Sequence, residues 1–444
     1  MDAVNRITND NSRKKTVQRC CVSSIERKSI EENAPAKVMV YSHDTYGLGN
    51  IRRMLAIAEH IASSHPQSQV LVVTGSPMQH GFRVSKSIDF IKLPCLSRDD
   101  VGRYRPRGKS MTTESLVAMR SEMLCVAYRH FNPDVLLVDK KPLGVKKELN
   151  SLFEEMGATE ARPVVALVLR DILDVPFVTQ QIWKRNAYHQ VIAEHYDLVL
   201  VAGQPEVFDV VHEYNFPVST RKKLRFCGYI KAHQGVPSVP GCGMPVSQPH
   251  VLVTVGGGGD GARVIHELIQ GMRQCQPDRV GFSAKVIMGP EMEAEQCQEL
   301  KSMADEVAGL EITEFCADMA AEIASADLVV GMCGYNTSCE ALSAGKPFVT
   351  IPRVKPVQEQ LIRARHLADL KLATMLHPDD LCASTLMKAI ERALRVPCNP
   401  SLRSLDFNGL DRIGYWLNAE YERLMTEQAQ KCCRVAMQGG GPNA

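Results

Sequence analysis

The amino-acid sequence predicts an α/β protein of two halves, each a parallel sheet with helices on both faces. Short β-branched runs alternate with helical stretches of about 12 to 18 residues, the pattern of repeated strand–helix–strand units. The alternation breaks between His233 and Pro249, where Pro and Gly accumulate without periodicity, and then restarts. Each half opens on an apolar strand that runs into a glycine-containing turn. A chain of 444 residues also exceeds one ordinary core, since domains run to about 150–200 residues.

Residues 1–36 mix Asn, Arg, Lys, Ser and Glu without periodicity and read as a disordered arm. Val38–Tyr41 reads as the first strand, Ile51–Ser63 as a helix and Val70–Thr74 as the second strand. A long loop carrying Arg103, Arg105, Arg107 and Lys109 follows. It leads to a helix over Ser115–Phe131 and strands at Val135–Val138, Val164–Leu169 and Leu198–Ala202. These elements define an N-terminal domain over 37–232, joined by a linker over 233–249 to a second domain over 250–398. The second domain reads as strand His250–Val255, helix Gly261–Gln274, strand Ala284–Met288 and helix Glu293–Val307. Strand Leu310–Phe315, helix Met319–Ser325 and strand Leu328–Gly331 continue it. A helical segment over 399–430, centred on Arg412–Gln428, precedes a Gly-rich tail over 431–444 that reads as disordered.

Apolar residues at 45% and charged residues at 23% match a soluble globular enzyme. A formal net charge of +2 gives no support to a nucleic-acid binder, which carries a strong basic excess. The 15 cysteines include no CxxC pair, so neither a zinc site nor a disulfide framework is expected, and reduced thiols in a cytoplasmic protein are the simplest reading. No stretch of about 18 apolar residues is present, so no spanning helix is expected. Peripheral attachment to the inner face of a membrane stays open.

Three strand-to-helix turns carry residue types suited to ligands. The first is Ser42–Asn50, where Gly47 and Gly49 permit positive φ and close backbone approach at a helix N-terminus. It suits an anionic or hydroxylic ligand, although a tight ligand-free loop has the same pattern. The second is Gly256–Gly261, with Gly257, Gly258 and Gly259 at its centre. So many glycines cost about 0.5–1 kcal/mol each relative to alanine in regular structure. Backbone amides aimed at phosphate oxygens are the usual compensation. No Lys-Ser/Thr follows, so it is not a P-loop, and the helix begins too soon for a dinucleotide fingerprint. The third runs from Gly331 through Gly334, Asn336, Thr337, Ser338 and Glu340 to Gly345, where capping side chains and free amides gather.

Residues 251 to about 381 resemble the C-terminal domain of glycosyltransferase family 28, the MurG-like group with the GT-B fold. The matching segments, in order, are Val255–Ala262, Ile312–Phe315 with Asp318-Met319, Ala326-Asp327, Gly334–Glu340, Ala344–Pro347, Pro352 and Glu359-Gln360. Their order and spacing over about 130 residues make a far more specific signal than any single motif. The N-terminal half resembles the same superfamily more loosely, through Gly47–Ala58. The resemblance implies a GT-B fold, two Rossmann-like domains with parallel sheets facing across a cleft, with the C-terminal helix packing back on the first domain.

It further implies roles. Backbone groups at Phe315 and Cys316 would hold uracil, Glu340 the ribose hydroxyls, and amides around Asn336–Ser338 the diphosphate. Glu359 and Gln360 would contact sugar hydroxyls. The family uses no metal-binding Asp-x-Asp motif, and none lies in a suitable loop here, so a UDP-sugar co-substrate and no cofactor are expected. One departure matters. The family's first turn ends in a histidine where this chain has Asn50, which cannot act as a general base. His43 and Asp44 in the same turn are the candidates, with Asp139 or Asp171 at later strand ends as further options. Arg170-Asp171 and Lys140-Lys141 fall where open α/β sheets place ligands and suit acceptor contacts.

The expected function is inverting transfer of a hexose or N-acetylhexosamine from a UDP-sugar to a hydroxyl acceptor, whether glycan, lipid-linked or small molecule. A UDP-sugar epimerase or hydrolase on the same fold, or an inactive nucleotide-sugar-binding protein, are the rival readings.

Overall fold

Parallel strands covered on both faces need apolar residues at every position, and the central strands of this protein have them. The computed structural model describes residues 35–43, 49–77, 84–98, 103–108, 111–159, 162–231, 248–275, 281–316, 318–395 and 404–439. The first domain begins β1 (Lys37–Ser42), α1 (Gly49–Ser64), β2 (Gln69–Thr74) and β3 (Ile88–Lys92). A small hairpin, β4 (Leu96–Arg98) and β5 (Tyr104–Pro106), precedes α2 (Thr113–Phe131) and β6 (Val135–Asp139). Then come α3 (Asn150–Gly157), β7 (Val164–Arg170), α4 (Pro176–Arg185), α5 (Tyr188–His195) and β8 (Leu198–Ala202). Two short helices, α6 (Val210–Glu213) and α7 (Val218–Arg221), lead to β9 (Leu224–Phe226). The seven-stranded sheet has the order β3-β2-β1-β6-β7-β8-β9, parallel throughout.

The second domain begins β10 (His250–Thr254), α8 (Ala262–Gln274), β11 (Ser283–Ile287), α9 (Ala294–Ala304) and β12 (Leu310–Thr313). It continues with α10 (Met319–Ser325), β13 (Leu328–Gly331), α11 (Tyr335–Ser343) and β14 (Phe348–Thr350). It closes with α12 (Glu359–Asp369), β15 (Thr374–Met375) and α13 (Ala383–Leu394). Its six strands run β12-β11-β10-β13-β14-β15, again all parallel. Val264, Ile265, Leu268, Ile269 and Met272 of α8 recur at helical spacing and are buried together. Helix α8 approaches α13 so closely that a Cβ at Gly271 would meet Met387 at 2.5 Å.

In both sheets the strand order reverses once, between β1 and β6 and between β10 and β13. Loops leaving the C-terminal ends of those strands border an open crevice, the usual ligand position in such sheets. All three sequence-predicted turns leave strands at these two points.

The long basic loop expected after β2 is shorter than read from the sequence. It contains edge strand β3, whose exposed flank blurs its apolar pattern, and the antiparallel pair β4–β5, each only three residues long. The last helix, α14 (Gly409–Gly439), also continues past residue 430, where a disordered tail was expected. Cys-Cys-Arg-Val-Ala-Met-Gln offers no helix breaker before Gly439. The arm up to residue 34, linker residues 232–247 and the last five residues lie outside the described residues.

Helix α14 packs against α1 and the face of β7 and β8, so the chain's last helix belongs to the first domain. Ile413, Leu417 and Leu424 are buried with Ile51, Met54, Ile57 and Ile61, and the same cluster takes in Tyr335 and Cys339 of α11. The two places where the chain passes between domains touch. Ile230 and Asn408 form an antiparallel bridge, flanked by Tyr229 N–H donating to Asp406 O at 2.7 Å and Gly409 N–H donating to Tyr229 O at 3.1 Å.

Candidate functional site

On the first domain's side, β1 delivers His43 and β6 ends on Asp139, side by side at the switch point. His43 is 5% exposed and Asp139 is fully buried. His43 Nδ1 lies 3.1 Å from Asp139 Oδ2, yet the two buried atoms have no aligned hydrogen bond. The other carboxylate oxygen accepts from Arg53 Nη2 at 2.5 Å. Burial lowers the His43 pKa from its ordinary value, with Asp139 pulling the other way. For Asp139, burial alone would raise the pKa, but Arg53 and then His43 outweigh it and hold the carboxyl well below the usual range. The surroundings thus disfavour the charged imidazole and favour the ionised carboxylate. Lys140, next along, takes a left-handed φ of 58°. Burial, followed by the nearby Arg170, pushes its ammonium down to about 7.

On the second domain's side, α11 starts at Gly334 with an extended cap residue and, among the described residues, no side-chain cap for its first amides. Asn336 Nδ2 donates to Gly49 O at 3.1 Å, so the N-termini of α11 and α1 meet across the cleft. Two positive dipole ends converge there. Ser338 is buried and its hydroxyl donates to Cys333 Sγ at 3.6 Å, while Thr337 is half-buried. Glu340, 8% exposed, accepts from Arg52 Nη2 of the opposite domain at 2.6 Å. Phe315, at the end of β12, is 47% exposed and Cys316 beside it is half-buried.

The Gly256–Gly261 loop has a packing reason for several of its glycines. A Cβ on Gly258 would lie 2.4 Å from Met288 O, one on Gly257 2.6 Å from Glu291 Oε2, and one on Gly261 2.2 Å from Val255. Backbone of the turn after β11 crowds Gly258 and the side chain of Val255 crowds Gly261, whereas the Glu291 carboxylate beside Gly257 is the movable end of a side chain. Gly259 has open space around it.

Residues that the sequence placed in separate acceptor and sugar roles are brought together. Arg170 forms a two-point ion pair with Glu359, Nη1 donating to Oε1 at 2.9 Å. Burial would raise the Glu359 pKa, but Arg170 and Arg363 outweigh it and lower it. Asp171 is gripped by Arg363, with Nε and Nη2 donating at 3.0 and 2.8 Å. The remaining Nη1 donates to Cys333 O at 2.9 Å. Gln360 Oε1 accepts from Arg353 N–H at 3.0 Å. Asp44 and Gly47 lie outside the described residues. Asn50 begins α1 beside Arg53, whose Nη2 lies 3.3 Å from its Oδ1.

Sequence reasoning missed Arg52, Arg53, Arg363 and Tyr335. Tyr335 lies between Arg53 and Arg363, each 5.8 Å from its ring centre. A signal for the first two was available. Cations in a helix's first turn oppose the dipole, and α1 has Arg52 there and Arg53 directly after it, with no acid.

The model of the glycosyltransferase family 28 C-terminal domain matches residues 250–407. A curated relative from Phenylobacterium zucineum is a UDP-N-acetylglucosamine–N-acetylmuramyl-(pentapeptide) pyrophosphoryl-undecaprenol N-acetylglucosamine transferase. It is 31% identical over 169 residues, covering 38% of this chain and 45% of the relative. The Caulobacter vibrioides protein of the same description is 30% identical over 154 residues, covering 34% and 42%. The match thus spans less than half the length of these relatives. Among solved structures, Acinetobacter baumannii MurG has a TM-score of 0.55 at 14% identity, over 87% of this chain and 100% of MurG. Glycyrrhiza uralensis UGT73P12, solved with glycyrrhetinic acid 3-O-monoglucuronide, has a TM-score of 0.59 at 13% identity, over 91% and 98%. The fold is GT-B, as the resemblance implied, and residues 250–407 match the glycosyltransferase family 28 C-terminal domain.

Proposed function

We propose that this GT-B chain, with its family 28 C-terminal domain, is an inverting glycosyltransferase that moves a hexose or N-acetylhexosamine from a UDP-sugar to a hydroxyl acceptor. The observation that carries the reading is the His43–Asp139 pair at one switch point, set across the cleft from the N-terminus of α11. Arg53 bridges the two sides, bonded to Asp139 and within 5.8 Å of the Tyr335 ring.

In this reading the α11 amides and the meeting helix ends hold the diphosphate, Glu340 accepts from the ribose hydroxyls, and backbone groups at Phe315 and Cys316 hold uracil. Glu359 and Gln360 border the sugar. The acceptor oxygen bonds to the anomeric carbon as the bond to the diphosphate oxygen breaks, and the acceptor proton passes to His43. Asp139 orients the imidazole and stabilises the imidazolium that forms, as a buried carboxylate does for a catalytic histidine. Asn50 then need not act as a base. Charge on the diphosphate is met by helix ends and arginines, so the reading calls for no metal or cofactor.

The acceptor class is part of the proposal. The curated relatives are named for a pyrophosphoryl-undecaprenol substrate, which favours a lipid-linked acceptor met at the inner face of a membrane by a cytoplasmic protein. Among the described residues no helix is long and apolar enough to cross a membrane, which fits peripheral contact.

Calorimetric titration of UDP, UDP-N-acetylglucosamine, UDP-glucose and GDP into the wild-type protein and Glu340→Ala tests the donor site. Micromolar UDP binding that is lost or much weakened in the variant is expected. A folded wild-type protein that ignores every uridine nucleotide would overturn the reading.

A further inference from the structure

Four arginines of the cleft that pair with buried acids differ in how firmly they are held. Arg53 is 1% exposed on Asp139 and Arg363 is 2% exposed in a bidentate grip on Asp171. Arg170, at 12%, is doubly paired to Glu359. Arg52 is 25% exposed and meets Glu340 through one nitrogen at 2.6 Å. Of these four it has the most freedom to change partner.

Its position on its own helix is also unfavourable. Arg52 sits in the first turn of α1, where the helix dipole repels a cation and no acid relieves it. Its stabilising partner is a carboxylate on the opposite domain, one and a half turns into α11 from the first amides at Gly334. A vicinal diol seated on Glu340 takes over carboxylate lone pairs that now serve Arg52. The phosphates of a ribose-linked diphosphate then lie between that diol and the α11 N-terminus, within the arc a long arginine side chain sweeps.

We propose that Arg52 is the diphosphate's charge partner. It shares Glu340 with the donor ribose, places its guanidinium on the donor's phosphates and neutralises the leaving diphosphate as the glycosidic bond forms. The proposal rests on the donor reading above. It gives the first domain, otherwise the acceptor side, a direct part in donor binding, so the donor is completed only when both domains close on it.

The test compares ligands that carry the diol with and without phosphate. Uridine, UMP and UDP are titrated into the wild type, Arg52→Ala, Arg52→Gln and Arg52→Lys, with melting temperatures confirming that each variant is folded. Loss of a charge-assisted bond predicts that Arg52→Ala and Arg52→Gln weaken UDP by about 10- to 100-fold. Uridine affinity should hold or improve, and Arg52→Lys should recover part of the UDP affinity. The UDP-specific loss should shrink as salt rises. Equal changes for uridine and UDP, tighter binding of both, or no change in either would overturn the assignment and leave Arg52 as a latch on Glu340 or a surface pair. Failure of the donor reading is separate, because the wild-type protein would then bind neither uridine nor UDP.

Discussion

Two buried ionic networks start a few residues apart on β1, one inside the first domain and one reaching across the cleft, and they are built to different standards. Tyr41, Arg120 and Glu148 form one, all of them essentially inaccessible to solvent. Arg120 donates to both Glu148 oxygens at 2.5 and 2.8 Å and to Pro94 O at 2.6 Å. The Tyr41 hydroxyl donates to Glu148 and accepts from Val145 N–H at 3.2 Å. Two residues after Tyr41, the chain enters the cleft network. There Ser42 Oγ, His43 Nδ1, Asp139 Oδ2, Arg170 Nε and Glu359 Oε2 are buried without an aligned hydrogen bond. Several of these atoms still have an opposite number, His43 Nδ1 facing Asp139 Oδ2 at 3.1 Å and Glu359 paired with Arg170, so the cleft network is held by charge pairs rather than by a full set of aligned hydrogen bonds. The saturated network holds shape, and the looser one is where the proposed chemistry would take place.

That contrast is breakable by substitution. Arg120→Met should cost the most, because it strands the Glu148 carboxylate in an interior with no counter-ion, about 3–5 kcal/mol. Urea unfolding measures it, and a variant as stable as wild type would mean the inner network is not structural. His43→Ala should behave in the opposite way. Turnover should fall by about 10²- to 10⁴-fold while UDP affinity and melting temperature stay close to wild type, as initial rates, calorimetry and thermal melts report. Glu340→Ala should weaken UDP by about 10- to 100-fold and leave the inner network's stability contribution intact.

The smallest effect is the most diagnostic of mechanism. His43 works as a base only when neutral, and burial lowers its pKa, so the neutral form persists further into acid than for a free histidine. The rate should therefore hold down to about pH 6.5, the ordinary value, and fall only below it. A profile of kcat/KM against pH with its acid limb above that point would count against His43 in this role.

What the sequence revealed was local. β1, β6 and β10 announce themselves through unbroken apolar runs, and the glycine turns after β1, β10 and β13 through composition. Edge strand β3 and hairpin β4–β5 escaped because a half-exposed or three-residue strand leaves too short a pattern. At the site, sequence pointed to His43, Asp139, Glu340 and Glu359, residues that sit at strand ends or helix starts. It missed their partners. Arg52, Arg53 and Arg363 each pair with an acid far away in sequence, and a lone arginine on a helix resembles any solvated charge until the fold supplies its neighbour. The glycines at 257, 258 and 261 teach the converse. Their composition suggested a phosphate cradle, and contacts from Met288 and Val255 give Gly258 and Gly261 a packing reason as well.

The bridge between Ile230 and Asn408 bears on how the cleft can move. The chain passes from the first domain to the second and back again, and the two passages are laced together by backbone hydrogen bonds at Tyr229, Asp406 and Gly409. Two strands fastened side by side flex easily across their plane and resist twisting, like a strap hinge. Opening should then swing the domains about an axis through this seam, carrying Arg52 away from Glu340 and Arg170 away from Glu359 in a single stroke. Cutting one of the two plies would free the domains to rotate out of register, even with every residue of the cleft unchanged.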